Sequence, residues 1–439
     1  MKLYVGERLA ELARQRGLSD DYVHELRVVA SVLPFRVNDY VVDELIDWST
    51  APADPIFLLT FPHRDMLPRN HFESIAELVR VNASRTVLNK ATAEVRRALN
   101  PHPAGQIEDN TPLLNRHPVL GLQHKYHETV LVFPSQGQTC HSYCGYCFRW
   151  AQFVDSEIRQ ALSDPAIMTE YLYSHPEVTD ILFTGGDPMI MRTEVIRRWV
   201  EPLLSDSLDH VTTLRFGTKA LSYWPARFTV GPDSDNLLRL FEQCIAKGRH
   251  VAVMAHFSHP RELQTATVEK AIERIRGTGA IIRAQAPLAA HVNDDAKTWS
   301  QLWQQLVVAG VIPYYMFIER DTGAKTFFEV PLARALDIYT EAISRVSGLA
   351  RTARGPVMSA HVGKVVIDGA PRIRGERVFS LRLLQARDAG LVGQQFFARY
   401  DPDAYWLDEL EPALGTEIPA GLGFPRSKVQ GDIRASTPA

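Results

Sequence analysis

The chain has 439 residues, a formal net charge of −3 at pH 7 and 45% apolar residues. This composition is ordinary for a globular protein with one large domain or two to three smaller ones. The near-neutral charge argues against a nucleic-acid partner. No apolar run approaches the length of a membrane span, so we expect no membrane segment.

The cysteine content and the N-terminus predict a cytoplasmic protein. Residues 1–17 are charged throughout and lack the apolar stretch of a secretory signal. Three of the four cysteines fall within one short segment, which favours a reducing compartment over a disulfide framework. The fourth, Cys244, lies in an amphipathic helical pattern, and we interpret it as a packing residue.

Residues 1–115 are predicted to form a helical N-terminal region. Apolar residues recur at helical spacing over 22–33 and 74–99, and several prolines interrupt the chain between these stretches. Breakers over 100–105 end the second stretch. We find no internal repeat and no catalytic motif in this region.

Short apolar strands alternate with helical patterns from about residue 126 onward. The strands are predicted at 129–134, 179–184, 211–216, 250–257, 280–285 and 311–318, with helices over much of 156–174, 236–247 and 267–276. This alternation predicts an α/β core, residues 116–330, built on a parallel sheet with helical cover. In such sheets the reacting groups gather at the C-terminal ends of the strands.

The remaining sequence is predicted to form a C-terminal region, 331–420, that completes the site. It contains a helical stretch to Val346, a loop and strand over 355–369, and a strand over 377–384. Residues 421–439 are rich in Gly, Pro, Ser and Thr and are predicted to be a flexible tail.

The strongest chemical signal is the spacing C-x3-C-x2-C of Cys140, Cys144 and Cys147, directly after the first predicted strand. Iron–sulfur clusters held by cysteines alone normally use four thiolates, so three would leave one iron open to a small chelating molecule. A structural zinc knuckle or a chance cluster is the alternative. Zinc requires four tetrahedral ligands, and His141 is too close to Cys140 to be a comfortable fourth.

A second signal follows the second predicted strand, where Thr184 precedes Gly185, Gly186, Asp187 and Pro188. Glycines at this point let a ligand approach the backbone closely. Taken alone, the run also fits an ordinary turn between a strand and a helix.

Together these motifs resemble the radical S-adenosylmethionine (SAM) enzymes. Within roughly residues 100–325, the segments 121–126, 255–260, 292–294 and 313–315 resemble the lysine 2,3-aminomutase family. The resemblance implies a partial (β/α)6 barrel, a [4Fe-4S] cluster on the three cysteines, and SAM chelated to the open iron. In this family, cluster reduction cleaves SAM to methionine and a 5′-deoxyadenosyl radical, which abstracts hydrogen from the substrate.

The same resemblance assigns roles to further residues. It implies that the segment from Gly185 to Pro188 holds the SAM amino group and that His256 and Gln285 lie near SAM. Arg149, two positions after the third cysteine, corresponds to the arginine that binds the substrate carboxylate, for which a guanidinium fork is suited. The alternative for Arg149 is that it only balances the charge of the cluster.

Pyridoxal phosphate (PLP), which the aminomutases use, is the point where this chain departs from the family. Lys364 is the nearest equivalent of the PLP lysine, but only one glycine precedes it. Two family arginines that hold the PLP phosphate correspond to Lys125 and Thr129. The aspartate that reads the lysine side chain corresponds to Arg320 or, with a one-residue slip, to Asp321. Lysine as the substrate and PLP as a cofactor are therefore left open.

We expect a radical SAM enzyme, an aminomutase-like isomerase, that acts on an amino-acid-like small molecule and needs a reductant such as flavodoxin or ferredoxin. The alternatives are a PLP-independent rearrangement, dehydrogenation or fragmentation, and a non-catalytic metal-binding scaffold. The substrate, the product, the electron donor and the oligomeric state, a homo-oligomer included, are not fixed by the sequence.

Overall fold

One sheet of twelve strands runs through the computed structural model, which describes residues 1–100, 110–155 and 159–415. The strands β1 to β16 are Leu3–Tyr4, Val37–Asn38, Leu113–Leu114, His117–Pro118, Leu122–Tyr126, Thr129–Val132, Asp180–Phe183, Thr213–Thr218, His250–His256, Ile281–Leu288, Ile312–Ile318, Arg354–Ser359, Gly363–Gly369, Arg372–Ile373, Glu376–Ala386 and Gln395–Arg399. Strands β5 to β16 belong to this sheet, and the four short strands before β5 form two separate pairs.

Helices cover the N-terminal region and follow most of the core strands. The α-helices are Glu7–Gln15, Asp20–Val32, Pro55–Thr60, Arg69–Arg80, Arg85–Ala98, Pro165–Tyr173, Thr193–Val200, Ala220–Tyr223, Ala226–Thr229, Pro232–Ala246, Ala266–Gly277, Ala296–Val308, Lys325–Phe328 and Leu332–Ser344. The single helical stretch expected over 74–99 is two helices. Asn82 adopts a left-handed φ of 47° between them, and the Ser84 side chain caps the second by accepting from Val87 N.

Strands β6 to β11 are parallel and adjacent in chain order, which confirms the predicted partial (β/α)6 barrel. All six predicted core strands are present. Burial alternates along β10: Ile282 and Ala284 pack in the main apolar core, whereas Arg283 and Gln285 are partly exposed. Because successive side chains of a strand point to opposite faces, Arg283 and Gln285 face the interior of the barrel.

The C-terminal region extends this sheet. Strand β12 is parallel to β11, and β13, β15 and β16 continue the sheet in antiparallel order. The C-terminal strands also contact the first strand of the sheet: Gln385 of β15 donates to Glu128, directly after β5, over 3.3 Å. Lys125 of β5 likewise donates to the carbonyl of Ala360. The two edges of the sheet therefore meet, and the C-terminal strands complete the barrel wall.

The N-terminal helices form a second apolar core against the barrel. This core includes Tyr146 and Trp150 from the segment around the cysteines and Phe328 from the core. Asp54 caps the helix Pro55–Thr60 and pairs with Arg261. The boundaries at 115/116 and 330/331 stay predictions, and the predicted tail 421–439 lies outside the described residues. No helix in the described part of the chain is both long and apolar enough to cross a membrane.

Candidate active site

The cysteine loop, residues 139–150, follows β6 at the C-terminal end of the parallel sheet. The N-terminal region holds its backbone: Gly145 N donates to Leu59 O over 2.7 Å, and Tyr143 N donates to Arg36 O over 2.9 Å. A Cβ atom at Gly145 would lie 2.8 Å from the ring of Phe328. The close approach of these elements therefore requires glycine there.

The three cysteines of the loop are partly buried. Burial raises the pKa of Cys144 to about 12 and that of Cys147 to about 11, and it raises the pKa of Cys140 well above its usual range. The nearby Asp187 charge, followed by those of Cys147 and Cys144, adds to the rise in the pKa of Cys140. Three thiolates at this site therefore need a positively charged partner, as a metal cluster would supply.

The three cysteines of the loop form no disulfide. Among the described residues, no group of three or more His, Cys, Asp or Glu side chains is placed around one ion position. In a cubane cluster each cysteine binds a different iron, so its thiolates do not converge on one point. Cys244 is fully buried in the main core, in the role of a packing residue.

The Gly-Gly turn, residues 185–186, lies directly against the cysteine loop. Gly185 adopts a left-handed φ of 137°, and a Cβ atom at Gly186 would lie 2.4 Å from Thr139 O. Asp187 N donates to Thr139 O over 2.9 Å. The tertiary structure therefore joins two motifs that are separated in sequence, and both positions require glycine.

The Asp187 side chain is bound by the protein itself. It is buried, and its carboxylate accepts from Thr218 Oγ1 at 2.7 Å, Lys219 N at 2.9 Å and Met189 N at 2.9 Å. His141 Nε2 lies 3.1 Å from its Oδ2 atom. Burial opposes the charge, but the hydrogen bonds from His141 and Thr218 outweigh it and lower the pKa of Asp187. Asp187 thus ties the cysteine loop to the ends of β7 and β8.

His256 and Gln285 occupy paired positions on β9 and β10. Their Nε2 atoms lie 3.0 Å apart. Burial, reinforced by the nearby Lys219 charge, lowers the pKa of His256 to about 4, so this imidazole is neutral at physiological pH. The two side chains form a neutral polar pair on neighbouring strands of the barrel.

Arg149 connects the cysteine loop to the Gly-Gly turn. Its guanidinium donates to Gly185 O over 3.2 Å and lies 4.4 Å from the ring centre of Phe133 and 5.2 Å from that of Phe148. Burial lowers its pKa to about 10, while Cys147 and Cys140 favour the charged form. Arg149 therefore stays cationic at neutral pH. Arg320 lies 5.4 Å from the Phe148 ring centre, which places a second guanidinium beside the same ring.

Lys364, on β13, is partly buried between two aromatic rings. Its Nζ atom lies 4.6 Å from the ring centre of Tyr126 and 5.5 Å from that of Tyr315, and it donates to Gln385 Oε1. Burial, assisted by the Arg215 charge, lowers its pKa to about 7. Burial likewise lowers the pKa of Lys125 to about 7. Both amines are therefore available in the neutral form near physiological pH.

Several residues of the site could not be found by reading motifs. Lys219 and Glu262 form a buried ion pair of 3.1 Å, and Lys219 Nζ also donates to Ser258 Oγ over 3.3 Å. Ser258 Oγ lies 2.7 Å from the hydroxyl of Tyr146 in the cysteine loop. Lys219 and Glu262 stand 43 positions apart in the chain, so no local pattern signals the pair.

Comparison with known proteins shows which family the chain belongs to. No family model matches the chain. It is 31% identical over 386 residues to a putative L-lysine 2,3-aminomutase of Aquifex aeolicus, covering 88% of this chain and 90% of the relative. It is 30% identical to L-lysine 2,3-aminomutase of Escherichia coli, covering 54% of this chain and 66% of the relative. For the enzyme of Methanococcus maripaludis the identity is 27%, over 53% of this chain and 51% of the relative.

Among solved structures, a radical SAM methyltransferase from Sphaerobacter thermophilus aligns with 80% of this chain and 93% of its own. The TM-score of this alignment is 0.38 and the sequence identity is 14%. The relative from Aquifex aeolicus, by contrast, matches along nearly its whole length. The chain is therefore an enzyme that belongs to the lysine 2,3-aminomutase family of radical SAM enzymes.

Proposed function

We propose that the chain binds a [4Fe-4S] cluster through Cys140, Cys144 and Cys147, binds SAM at the open iron, and abstracts hydrogen from an amino-acid-like substrate. The observation that carries the proposal is the packing of the cysteine loop against the Gly-Gly turn, where the Thr139 carbonyl accepts from Asp187 N and leaves no room for a Cβ atom at Gly186. Family membership makes the chain an enzyme and sets aside the non-catalytic scaffold. When bound, the reduced cluster and SAM supply the radical that removes the hydrogen.

The SAM subsite would use backbone and neutral groups. The Asp187 carboxylate already accepts from Thr218, Lys219 and Met189, so we assign the SAM amino group to the backbone of the Gly-Gly turn. Pro188 begins the following 3-10 turn and fixes the direction of the chain there. The neutral pair of His256 and Gln285 offers hydrogen-bonding atoms without charge, which suits the sugar or base of SAM.

Arg149 is our candidate for binding the substrate carboxylate. It remains charged and already contacts Gly185, so a carboxylate on its guanidinium would lie close to the radical source. A guanidinium fork matches a carboxylate with two hydrogen bonds. This contact would point the carbon that loses its hydrogen toward the cluster side of the barrel.

We further propose that Lys364 anchors PLP and that the reaction is a 1,2-amino migration. Bound PLP would supply the conjugated system through which the amino group moves. A lysine whose pKa lies near 7 is ready for imine formation, and Tyr126 offers an aromatic face beside it. Arg215 and Arg354, whose charges act on Lys364, supply cations for a phosphate, and Lys125 would join them in its protonated form.

Thr129 favours the second candidate, a PLP-independent rearrangement, dehydrogenation or fragmentation. Thr129 is 3% exposed and uncharged where the family places a phosphate-binding arginine. A dianionic phosphate would lack that partner. The proposed enzyme would need a reductant such as flavodoxin or ferredoxin, and the cytoplasmic location stays a prediction.

An anaerobic assay for 5′-deoxyadenosine tests the proposed function. Reconstituted full-length protein is incubated with SAM, dithionite and single amino acids, and 5′-deoxyadenosine and isomerised products are quantified. We expect a brown protein whose 5′-deoxyadenosine yield rises with its own substrate. A colourless zinc-containing protein would contradict the cluster assignment. A substrate-dependent yield of a product other than an isomer, with no PLP bound, would establish the second candidate.

A further inference from the structure

We infer that Arg36, from the N-terminal region, is a positioning residue that holds the cysteine loop and sets the reduction potential of the cluster. The inference rests on the proposed cluster site. It concerns a residue outside every motif of the sequence, in a region without a catalytic pattern. Its basis is a set of contacts to the start and the middle of the loop.

The guanidinium of Arg36 binds the start of the cysteine loop. Its NH1 atom donates to Thr139 Oγ1 over 2.6 Å and to Cys140 O over 2.8 Å. The same group lies 5.0 Å from the ring centre of Tyr143. One charged side chain therefore contacts the residue before the first cysteine, that cysteine itself, and the ring one position before the second cysteine.

The main chain of Arg36 binds the middle of the loop. Its carbonyl accepts from Tyr143 N at 2.9 Å and from Ser142 Oγ at 3.1 Å. The neighbouring Asn38 is fully buried, and its Nδ2 atom donates to Tyr223 O over 2.8 Å. The segment carrying Arg36 is thereby fixed to the barrel, so it can hold the loop in one position.

The charge of Arg36 acts directly on the cluster site. It lies beside Cys140, where it opposes the effect of burial on the thiolate. Its Nε atom is buried and has no acceptor among the described residues, which leaves a donor for a group that the chain does not supply. Net charge and hydrogen bonds to sulfur set the potentials of iron–sulfur clusters. A cation here favours the reduced cluster, which carries one more electron.

The test uses Arg36→Gln, which removes the charge, and Arg36→Lys, which keeps it. Arg96→Gln is the matched control, because Arg96 also donates to two carbonyls, Val32 O at 2.7 Å and Ser31 O at 2.8 Å, both within the N-terminal region. Each full-length protein is reconstituted anaerobically and titrated with dithionite in the presence of mediators. Iron and sulfide are counted, and the reduced cluster is followed by electron paramagnetic resonance.

We expect Arg36→Gln to shift the equilibrium toward the oxidised cluster about tenfold, a potential about 59 mV more negative for one electron. Arg36→Lys should restore most of the potential, and Arg96→Gln should leave it unchanged. An unchanged potential in fully loaded Arg36→Gln overturns the inference. If Arg36→Gln does not load a cluster, the free energy of unfolding of its apoprotein is compared with that of the Arg96→Gln apoprotein. An equal free energy of unfolding supports a role specific to the loop, and a lower one overturns the inference. Failure of the unsubstituted protein to load a cluster refutes the proposed function instead.

Discussion

His141 and Asp187 form a buried pair in which the imidazole Nε2 and the carboxylate Oδ2 lie 3.1 Å apart, with both side chains at most 3% exposed. His141 belongs to the cysteine loop and Asp187 follows the Gly-Gly turn. The pair therefore sets the spacing between the two motifs. The other contacts of Asp187, to Thr218 and Lys219, extend this link to the end of β8.

Asp187→Asn should destabilise the fold by about 3 kcal/mol, because it removes one partner from a buried charged network. The folded pKa of Asp187 is lowered, so its contribution is fully present above the unfolded value of about 3.9 and is lost as the pH falls through the folded value. The difference in the free energy of unfolding between the unsubstituted protein and Asp187→Asn, measured with urea, should therefore be constant between pH 5 and 8. The exposed Asp20→Asn should change stability by less than about 0.5 kcal/mol. A difference that small for Asp187→Asn would contradict the structural role.

Replacing Cys140, Cys144 or Cys147 singly with Ala should abolish assembly of the cluster, because each thiolate would bind a different iron. Cys244→Ala is the control, since Cys244 is buried in the main core and should cost only a small packing term. Iron and sulfide are counted after anaerobic reconstitution. Full loading of any of the three loop variants would refute the ligand assignment.

Arg149→Ala should retain SAM cleavage by dithionite and lose productive turnover. Loss of a buried bidentate carboxylate contact costs about 2–5 kcal/mol, so the apparent substrate affinity should fall by at least about thirtyfold. Arg149→Lys keeps a charge without the fork and should recover only part of the loss. Because Arg149 also donates to Gly185 O, SAM affinity is measured in parallel. An unchanged substrate affinity in Arg149→Ala would reject the role.

PLP followed by borohydride should label Lys364 stoichiometrically, and peptide mass mapping identifies the site. Because the pKa of Lys364 is lowered to about 7, labelling should reach half its maximum near pH 7 and fall as the amine becomes protonated below that value. Lys364→Ala should remove the label, whereas the exposed Lys247→Ala should not. Absence of the adduct would establish the PLP-independent candidate, and labelling elsewhere would refute Lys364 as the anchor.

The motifs of the site could be predicted because they are local. The cysteine spacing lies within eight consecutive residues, and the glycines follow one strand. The six core strands could be predicted for a similar reason, since each lies in a short, mostly apolar run of six to eight residues. Over 355–369, where a loop and one strand are predicted, the structure has two strands, of which the first, β12, is the seventh parallel strand. β12 pairs with β11 in parallel because the intervening helix Leu332–Ser344 returns the chain to the same edge of the sheet. No local pattern signals this pairing.

The class of cofactor chemistry could be predicted from a few consecutive residues, because ligand number and spacing are local properties of the chain. The residues that support the predicted site are brought together only by the tertiary fold. Arg36 and Thr139 are 103 positions apart, and Lys125 and Ala360 are 235 apart, yet each pair is hydrogen-bonded. Such contacts follow from how the sheet closes and how the N-terminal helices pack. They depend on burial and on the loss of water around charged groups, which no single stretch of sequence specifies.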